Sequence, residues 1–270
     1  MNRWAAPKAN PEVRSAEGAP VSTALQIDGL VKRFGGLEAT RDVSLQIEAG
    51  TIHGLIGPNG AGKTTLISLL SGYLVADGGS IAFFGKPVQQ LTQQARVRVG
   101  LVRSFQITSV FGSLSVLENL QVSVQRRHHR SFGFFAAARA DRRARDEAAA
   151  IAERVGLAKQ LDTRGDAMSH GMRRRLDVGL SLACAPRMLL MDEPMAGMGH
   201  DEADEVVALI RSLTPELTIL LVEHDMDAVF ALADRITVLL LGAVLASGTA
   251  SEIRDNPDVR AAYLGEEGTA

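Results

Sequence analysis

Apolar and polar positions alternate from Ala24 onward: Leu25 and Ile27, then Val43, Leu45 and Ile47 with Ser44, Gln46 and Glu48 between them. Period-two spacing of this kind predicts half-buried strands, and two such runs predict a small antiparallel sheet near the start of the chain. Ile52-His53-Gly54-Leu55-Ile56 then reads as a short buried strand, and Leu66, Ile67, Leu70 and Leu74 recur at helical spacing. A turn at Asp77-Gly78-Gly79 leads into a further strand, Ser80-Ile81-Ala82-Phe83-Phe84. Between about residues 96 and 186 strand signals thin out, and stretches rich in Ala, Arg and Glu, above all 136–156, favour helix. That shift predicts an inserted helical subdomain. Strand and helix alternate again beyond Pro186: Met188-Leu189-Leu190-Met191 runs into Asp192-Glu193-Pro194, a helix is expected from about Glu202 to Leu213, and a strand over 218–222 ends in Glu223-His224-Asp225. Strand, helix, strand in that order predicts a parallel sheet with crossover helices. The apolar run over 236–246 is broken by Gly242 and reads as two strands around a turn.

The 270 residues are 46% hydrophobic and 22% charged, enough to bury a substantial core in one large domain or a domain with a subdomain. A net charge of −2 provides no overall electrostatic footprint for nucleic acid or an acidic membrane surface. The compact basic run Arg126-Arg127-His128-His129-Arg130 is accordingly read as a solvated loop, and no nucleic-acid partner is expected. Cys184 is the single cysteine, which excludes an internal disulfide and a multi-cysteine metal site. No apolar run reaches the roughly 18 to 20 residues that span a bilayer. Residues 1–22 have no apolar segment of the secretory type and are expected to be a disordered extension.

The clearest chemistry lies in Gly57-Pro58-Asn59-Gly60-Ala61-Gly62-Lys63-Thr64-Thr65, which fits the phosphate-loop pattern G-x-x-x-x-G-K-[ST]. Its glycines let the backbone N–H groups approach phosphate oxygens, and the following helix presents a partial positive charge. Lys63 is expected on the β- and γ-phosphates, and the Thr64 hydroxyl on Mg²⁺. Alone, this loop leaves kinase, GTPase and motor readings open. Four apolar residues ending in Asp192 have the form of a Walker B strand, whose carboxylate holds hydrated Mg²⁺. Glu193, at the same edge, can orient or deprotonate an attacking water, a role worth about 10² to 10⁴ in rate. Phe34, in Lys32-Arg33-Phe34-Gly35-Gly36, reads from its own segment as a core or hairpin aromatic.

Taken together and in this order, these residues resemble the ATP-binding subunit of an ABC transporter over residues 25–265. The resemblance implies an α/β P-loop NTPase fold: a RecA-like core with an antiparallel β subdomain and an inserted helical subdomain at about 96–186. The cassette itself would span 23–265, leaving a tail over 266–270. Phe34 falls at the aromatic that stacks on adenine, reversing the reading from its segment. Gln106, in Val102-Arg103-Ser104-Phe105-Gln106, falls at the glutamine that reaches Mg²⁺ and the attacking water, and His224 at the histidine that faces the γ-phosphate. Met168-Ser169-His170-Gly171-Met172 falls at the signature LSGGQ, through which Ser169 and Gly171 would close over ATP held by a second subunit. The implied catalytic set is Glu193, His224, Gln106 and Lys63, with Mg²⁺ on Thr64, Gln106 and Asp192. The implied ATP site adds Phe34, the loop from Gly57 to Thr65, Ser169 and Gly171.

The chain is similar, more narrowly, to the branched-chain amino-acid importer type. That likeness rests on Arg33-Phe34-Gly35-Gly36-Leu37, on Val102-Arg103-Ser104-Phe105-Gln106, on the insertion after Glu118-Asn119-Leu120, and on the tail Asn256-Pro257-Asp258-Val259-Arg260-Ala261-Ala262-Tyr263-Leu264-Gly265. It implies an ATPase subunit at the cytoplasmic face of the membrane, paired with a second ATPase subunit, with multi-span permease subunits and, indirectly, with an extracytoplasmic solute-binding protein. The solute would be a branched-chain amino acid or a related small polar molecule. Three positions depart from the family pattern: His170 and Met172 in the signature, and Gly199 where an acidic or amide side chain crosses the dimer interface. Two other readings remain: a soluble ABC ATPase acting on ribosomes or DNA, and a subunit kept for nucleotide binding and regulation.

Overall fold

The structure, a computed structural model, describes residues 22–104, 110–128 and 142–264. Gln106, the extension over 1–21 and the tail over 266–270 lie outside the described residues. In chain order the elements are β1 (Thr23–Phe34), β2 (Leu37–Glu48), β3 (Ile52–Ile56), α1 (Lys63–Ser71), β4 (Gly78–Phe83), β5 (Lys86–Pro87), α2 (Gln93–Val99) and β6 (Leu101–Arg103). They continue as α3 (Val116–His128), α4 (Arg142–Arg154), α5 (His170–Ala183), β7 (Met188–Asp192), α6 (His200–Leu213) and β8 (Thr218–Val222). The chain closes with α7 (Met226–Leu232), β9 (Arg235–Leu240), β10 (Ala243–Gly248), α8 (Ala250–Asp255) and α9 (Pro257–Leu264).

Among the described residues these strands form two sheets. The first has the order β2-β1-β4-β5 and is antiparallel. Its register sets Leu25 against Ile47 and Ile27 against Leu45, so the period-two pattern puts every one of these side chains inside and leaves Gln46 and Glu48 exposed. The second has the order β10-β9-β3-β8-β7-β6, parallel from β9 to β6 with β10 antiparallel on one edge. β7 and β8 are buried at every residue because both faces of the sheet are covered. Leu190 and Leu220 join α1 and the antiparallel sheet in one apolar cluster, whereas Leu189 and Leu221 join α3, α4, α5 and α6 in another.

α1 is buried along almost its whole length between the two sheets, and its last turn is closed by a side chain from elsewhere. Arg96, 2% exposed, donates to the carbonyls of Leu69 and Leu70 at the end of α1 and to Gln89 O at 3.1 Å. A cation at this end of a helix satisfies orphan carbonyls and opposes the helix dipole. Arg96 and β6 fall inside the span expected to be helical, yet both serve the core: β6 pairs with β7 in the six-stranded sheet. A three-residue strand is too short for its periodicity to be read.

Beyond β6, α3, α4 and α5 pack on one another, and Gly179 in α5 permits the approach of Leu120, whose Cδ2 lies 3.1 Å from where a Cβ would stand. Ser115 and Glu118 make a reciprocal capping box at the start of α3, and the buried Asn119 amide donates to Phe111 O, Leu114 O and Ser115 O. The first residues of the basic run are helical rather than a loop: Arg126, Arg127 and His128 end α3. Arg127 donates to Ala183 O at 3.2 Å and pairs with Glu147 of α4, so local packing recruits a charge that composition alone assigned to solvent. His129 and Arg130 lie outside the described residues.

Candidate functional site

Because β3, β8 and β7 are adjacent and parallel, the residues that follow their C-terminal ends share one edge of the sheet. Gly57 follows β3, Asp192 ends β7, and Glu223 and His224 follow β8. Ligand sites of open parallel sheets gather at such an edge. The loop over 57–62 turns through three left-handed glycines, Gly57 (φ 150°), Gly60 (φ 78°) and Gly62 (φ 101°). A side chain on Gly57 would meet the carbonyl of Leu239, and one on Gly62 the carbonyl of Ala39, whereas Gly60 faces open space. The turn between β9 and β10 supports the loop from behind, with Gly242 N–H donating to Ala61 O at 3.0 Å and Arg41 N–H to Gly242 O at 2.7 Å. Lys63, 9% exposed, folds back so that its ammonium donates to Gly57 O and, at 3.0 Å, to Pro58 O. No acidic residue occupies the first turn of α1, so the positive end of its dipole is uncompensated. Thr64 stands exposed there, as do Asn59 and Gly60 in the loop, while Thr65 is half-buried.

The second wall is acidic. Asp192 is 3% exposed and accepts from Arg103 Nη2 at 2.8 Å, while Arg103 Nη1 lies 3.4 Å from Ser68 Oγ on α1. Arg103 therefore ties the end of β6 to both β7 and the phosphate-loop helix. Glu193 has a left-handed backbone (φ 47°), a conformation that a non-glycine residue keeps only where its surroundings over-determine it. Its N–H donates to Val222 O at 2.9 Å, and its carbonyl accepts from Arg174 of α5. Arg174 Nε also donates to Pro194 O at 2.7 Å. The Glu193 carboxylate is half-exposed and lies 3.8 Å from Nδ1 of His224, whose side chain is 64% exposed. Glu223, 1% exposed, lies 3.7 Å from the same nitrogen. Burial raises the pKa of Glu223, opposed by the backbone N–H groups of Met195 and His224.

Phe34 is 47% exposed at the end of β1, with Lys32 Nζ 5.5 Å from its ring centroid. Asp77 fixes that strand end by accepting from Lys32 Nζ at 2.9 Å and from Arg33 N–H at 2.6 Å. An aromatic this open is not a core residue and presents ring surface for stacking. Ser169 is the N-cap of α5, its hydroxyl accepting from Met172 N–H at 3.3 Å, and it is exposed. Gly171 is buried against Glu202 of α6, whose Oε1 would sit 3.0 Å from an added Cβ. α5 packs on α3, α4 and α6. Ser169 and Gly171 thus belong to a different layer from the phosphate loop. His53 is buried in β3, bonded to Thr237 Oγ1 at 2.8 Å, and burial followed by the charge of Arg235 lowers its pKa to about 4.

A family model for the ABC transporter matches residues 40–196, which include the phosphate loop, the signature region and the Asp192-Glu193 edge. The chain belongs to the ABC transporter family. A second model, for the branched-chain amino acid ATP-binding cassette transporter, matches residues 243–269 of this cassette. The cassette is 41% identical over 249 residues to the high-affinity branched-chain amino acid transport ATP-binding protein BraF of Pseudomonas aeruginosa, covering 90% of this chain and 98% of that protein. It is 39% identical over 251 residues to the protein LivG of the same description in Escherichia coli, again covering 90% and 98%. Among solved structures, the ADP conformation of an ATP-binding cassette of an ABC transporter superposes with a TM-score of 0.79 at 27% identity, covering 90% of this chain and 99% of that one. A nucleotide-free ATP-binding cassette gives 0.77 at 27% identity, with 89% and 98% covered. The protein is accordingly a nucleotide-binding ATPase with the cassette fold.

Three residues at this edge escaped sequence reasoning. Arg103 lies in the stretch Val102-Arg103-Ser104, but its partner Asp192 lies 89 residues away. Arg174 stood in a run of three arginines, two of which look alike in sequence but do other work: Arg173 bonds the carbonyls of Gly165 and Asp166, and Arg175 pairs with Glu205. Glu223 was visible as an acid at a strand end, the signal that also drew attention to His224, yet nothing local distinguishes a buried carboxylate from a solvated one.

Proposed function

We propose that this cassette hydrolyses ATP to drive a membrane importer for branched-chain amino acids or a related small polar solute. The observation that carries the reading is one sheet edge joining a glycine cradle with an inward-folded lysine to two carboxylates and a histidine. Lys63 and the N-terminus of α1 would bind the β- and γ-phosphates, and Phe34 would stack on adenine. Thr64 and Asp192 are hard oxygen donors that suit Mg²⁺, which when bound would neutralise phosphate charge; Gln106 is the third ligand that the resemblance implies. Glu193 would take the proton of the attacking water as its oxygen bonds to the γ-phosphorus and the bond to the bridging oxygen breaks, releasing ADP with that electron pair. His224, beside Glu193, would hold the γ-phosphate from the other side.

Ser169 and Gly171 would close over ATP held by a second ATPase subunit, so that binding pairs two cassettes and hydrolysis parts them. The likeness to transport ATP-binding proteins supports a permease of separate chains, with this cassette peripheral at the cytoplasmic face; among the described residues no helix is long and apolar enough to cross a membrane. Tyr73 and Val75 beyond α1, and Val99 at the end of α2, are exposed apolar residues on segments joined by Arg96. We assign these exposed apolar residues to contact with the permease, with α3, α4 and α5 as the inserted subdomain that moves with it.

Glu193→Gln decides the chemistry. The variant should bind ATP with near-normal affinity, lose about 10² to 10⁴ of its turnover and accumulate the closed pair. Near-normal turnover would remove Glu193 from its role. For the assembly, a complex purified from membranes should contain multi-span subunits, and their absence would sink the transport reading.

A further inference from the structure

Glu223 poses an energetic question that ATP binding does not answer. Burying a carboxylate is unfavourable unless hydrogen bonds and charges compensate it. Among the described residues no lysine or arginine pairs with Glu223. Its hydrogen-bond partners are two backbone groups, with the His224 imidazole 3.7 Å from Oε2: Met195 N–H donates to Oε1 at 2.9 Å, and His224 N–H donates to Oε2 at 3.3 Å. One oxygen thus grips the loop after Glu193-Pro194, and the other grips the residue that carries the imidazole.

The same loop is gripped from its opposite side by Arg174, which donates to the carbonyls of Glu193 and Pro194. Two consecutive peptide units, 193–194 and 194–195, are therefore held by two side chains from elements 19 or more residues away. Between them sits Glu193 in its left-handed conformation. Such a conformation persists only while its surroundings hold it.

We propose that Glu223, with Arg174 as the second jaw, is a positioning residue for hydrolysis: it references the Glu193 carboxylate and the His224 imidazole to one buried anchor. This inference rests on the reading of Glu193 and His224 as the pair that handles water and γ-phosphate. It also makes a chemical prediction about a substitution that looks conservative. Glutamine can accept only one of the two N–H bonds, because its amide NH₂ must face the other donor. Glu223→Gln therefore releases one grip while keeping size and shape.

The experiment compares kcat and KM for ATP, and the melting temperature, of the purified full-length chain with Glu223→Gln, Arg174→Met, both together, and Glu193→Gln alongside. Each of the first two should lower kcat by about 10- to 100-fold, the range expected for misplacing a reacting group by about an ångström, with KM for ATP within about twofold of the parent. Because both act on the same peptide units, the double variant should lose no more than about threefold beyond the worse single one. A folded Glu223→Gln with kcat within about twofold of the parent overturns the inference. So does a loss in which kcat and KM deteriorate together with melting temperature, or a double variant whose losses multiply. Should Glu223→Gln fail to fold, Arg174→Met decides alone, and unchanged kcat there overturns the shared clamp. If Glu193→Gln itself turns over normally, the reading of the catalytic pair has failed, and that outcome is distinct from those that overturn the clamp.

Discussion

Residues 57–62 keep their curve with backbone: three left-handed glycines, the carbonyls of Leu239 and Ala39 in the space where side chains would stand, and a bond from the N–H of Gly242. Residues 193–195, at the same sheet edge, add to their backbone turn the grip of side chains from other elements, Arg174 on one flank and Glu223 on the other. The first loop is a fixed cradle whose shape is written into adjacent residues. The second is held at points that belong to α5 and to the end of β8, so its geometry depends on how those elements sit. A site that must bind phosphate tightly gains from the first construction. A carboxylate that would act on water in the proposed closed pair gains from the second.

Substitutions can break this contrast in order of size. Gly62→Ala combines an unfavourable φ with a clash against a backbone carbonyl, and should cost at least about 3 kcal/mol of stability along with most nucleotide affinity, measured by denaturant unfolding and nucleotide titration. Acid tests the strand beneath the cradle. His53 has a folded pKa of about 4, below its ordinary 6.5, so the unfolded chain takes up that proton first as pH falls. Its contribution is therefore fully present above pH 6.5, shrinks as pH drops, and levels off below about 4, a loss of about 3 kcal/mol. Unfolding of the parent and of His53→Gln at pH 7, 5 and 4 should differ by that slope, and parallel profiles would remove the histidine from the effect.

Gly60→Ala sharpens the contrast inside the cradle. Its φ of 78° is left-handed, but no atom stands within 4 Å of the added carbon, so only the conformational term remains, about 1 kcal/mol. A loss as large as that of Gly62→Ala would mean that backbone strain, not the close carbonyl, shapes the loop. The smallest effect is expected at Gly199. It is the N-cap of α6 with extended backbone and open surroundings, so Gly199→Asp should gain about 0.3 kcal/mol in unfolding measurements. A clear destabilisation there would show that the far end of the 193–199 loop is less open than its geometry indicates.

Much of this molecule could be read from residue order. The strand over 218–222 falls where the apolar run placed it, the pair around Gly242 forms β9 and β10, and the helix expected from Glu202 begins two residues earlier at His200. These features depend on periodicity and on turn residues, which neighbours in sequence determine. The expected helical span was read less well at its start, because Arg96 and β6 turn toward the core only in the presence of α1 and β7. Phe34 illustrates the same limit from the other side. Its segment alone suggested a core or hairpin aromatic; it closes the β1–β2 hairpin opposite Leu37, and the anchor at Asp77, 44 residues from Arg33, leaves the ring in the open.

The sequence by itself determined the phosphate loop, the acidic end of β7 and the alternation that builds a parallel sheet, since each depends on the identity and spacing of residues close along the chain. Only the tertiary structure decided that Arg103 would neutralise Asp192, that one arginine of three would hold Glu193 in a left-handed turn, and that Glu223 would be buried. Those outcomes depend on distances between segments 19 to 89 residues apart, and on whether a charge meets water or a backbone amide. No local pattern encodes either.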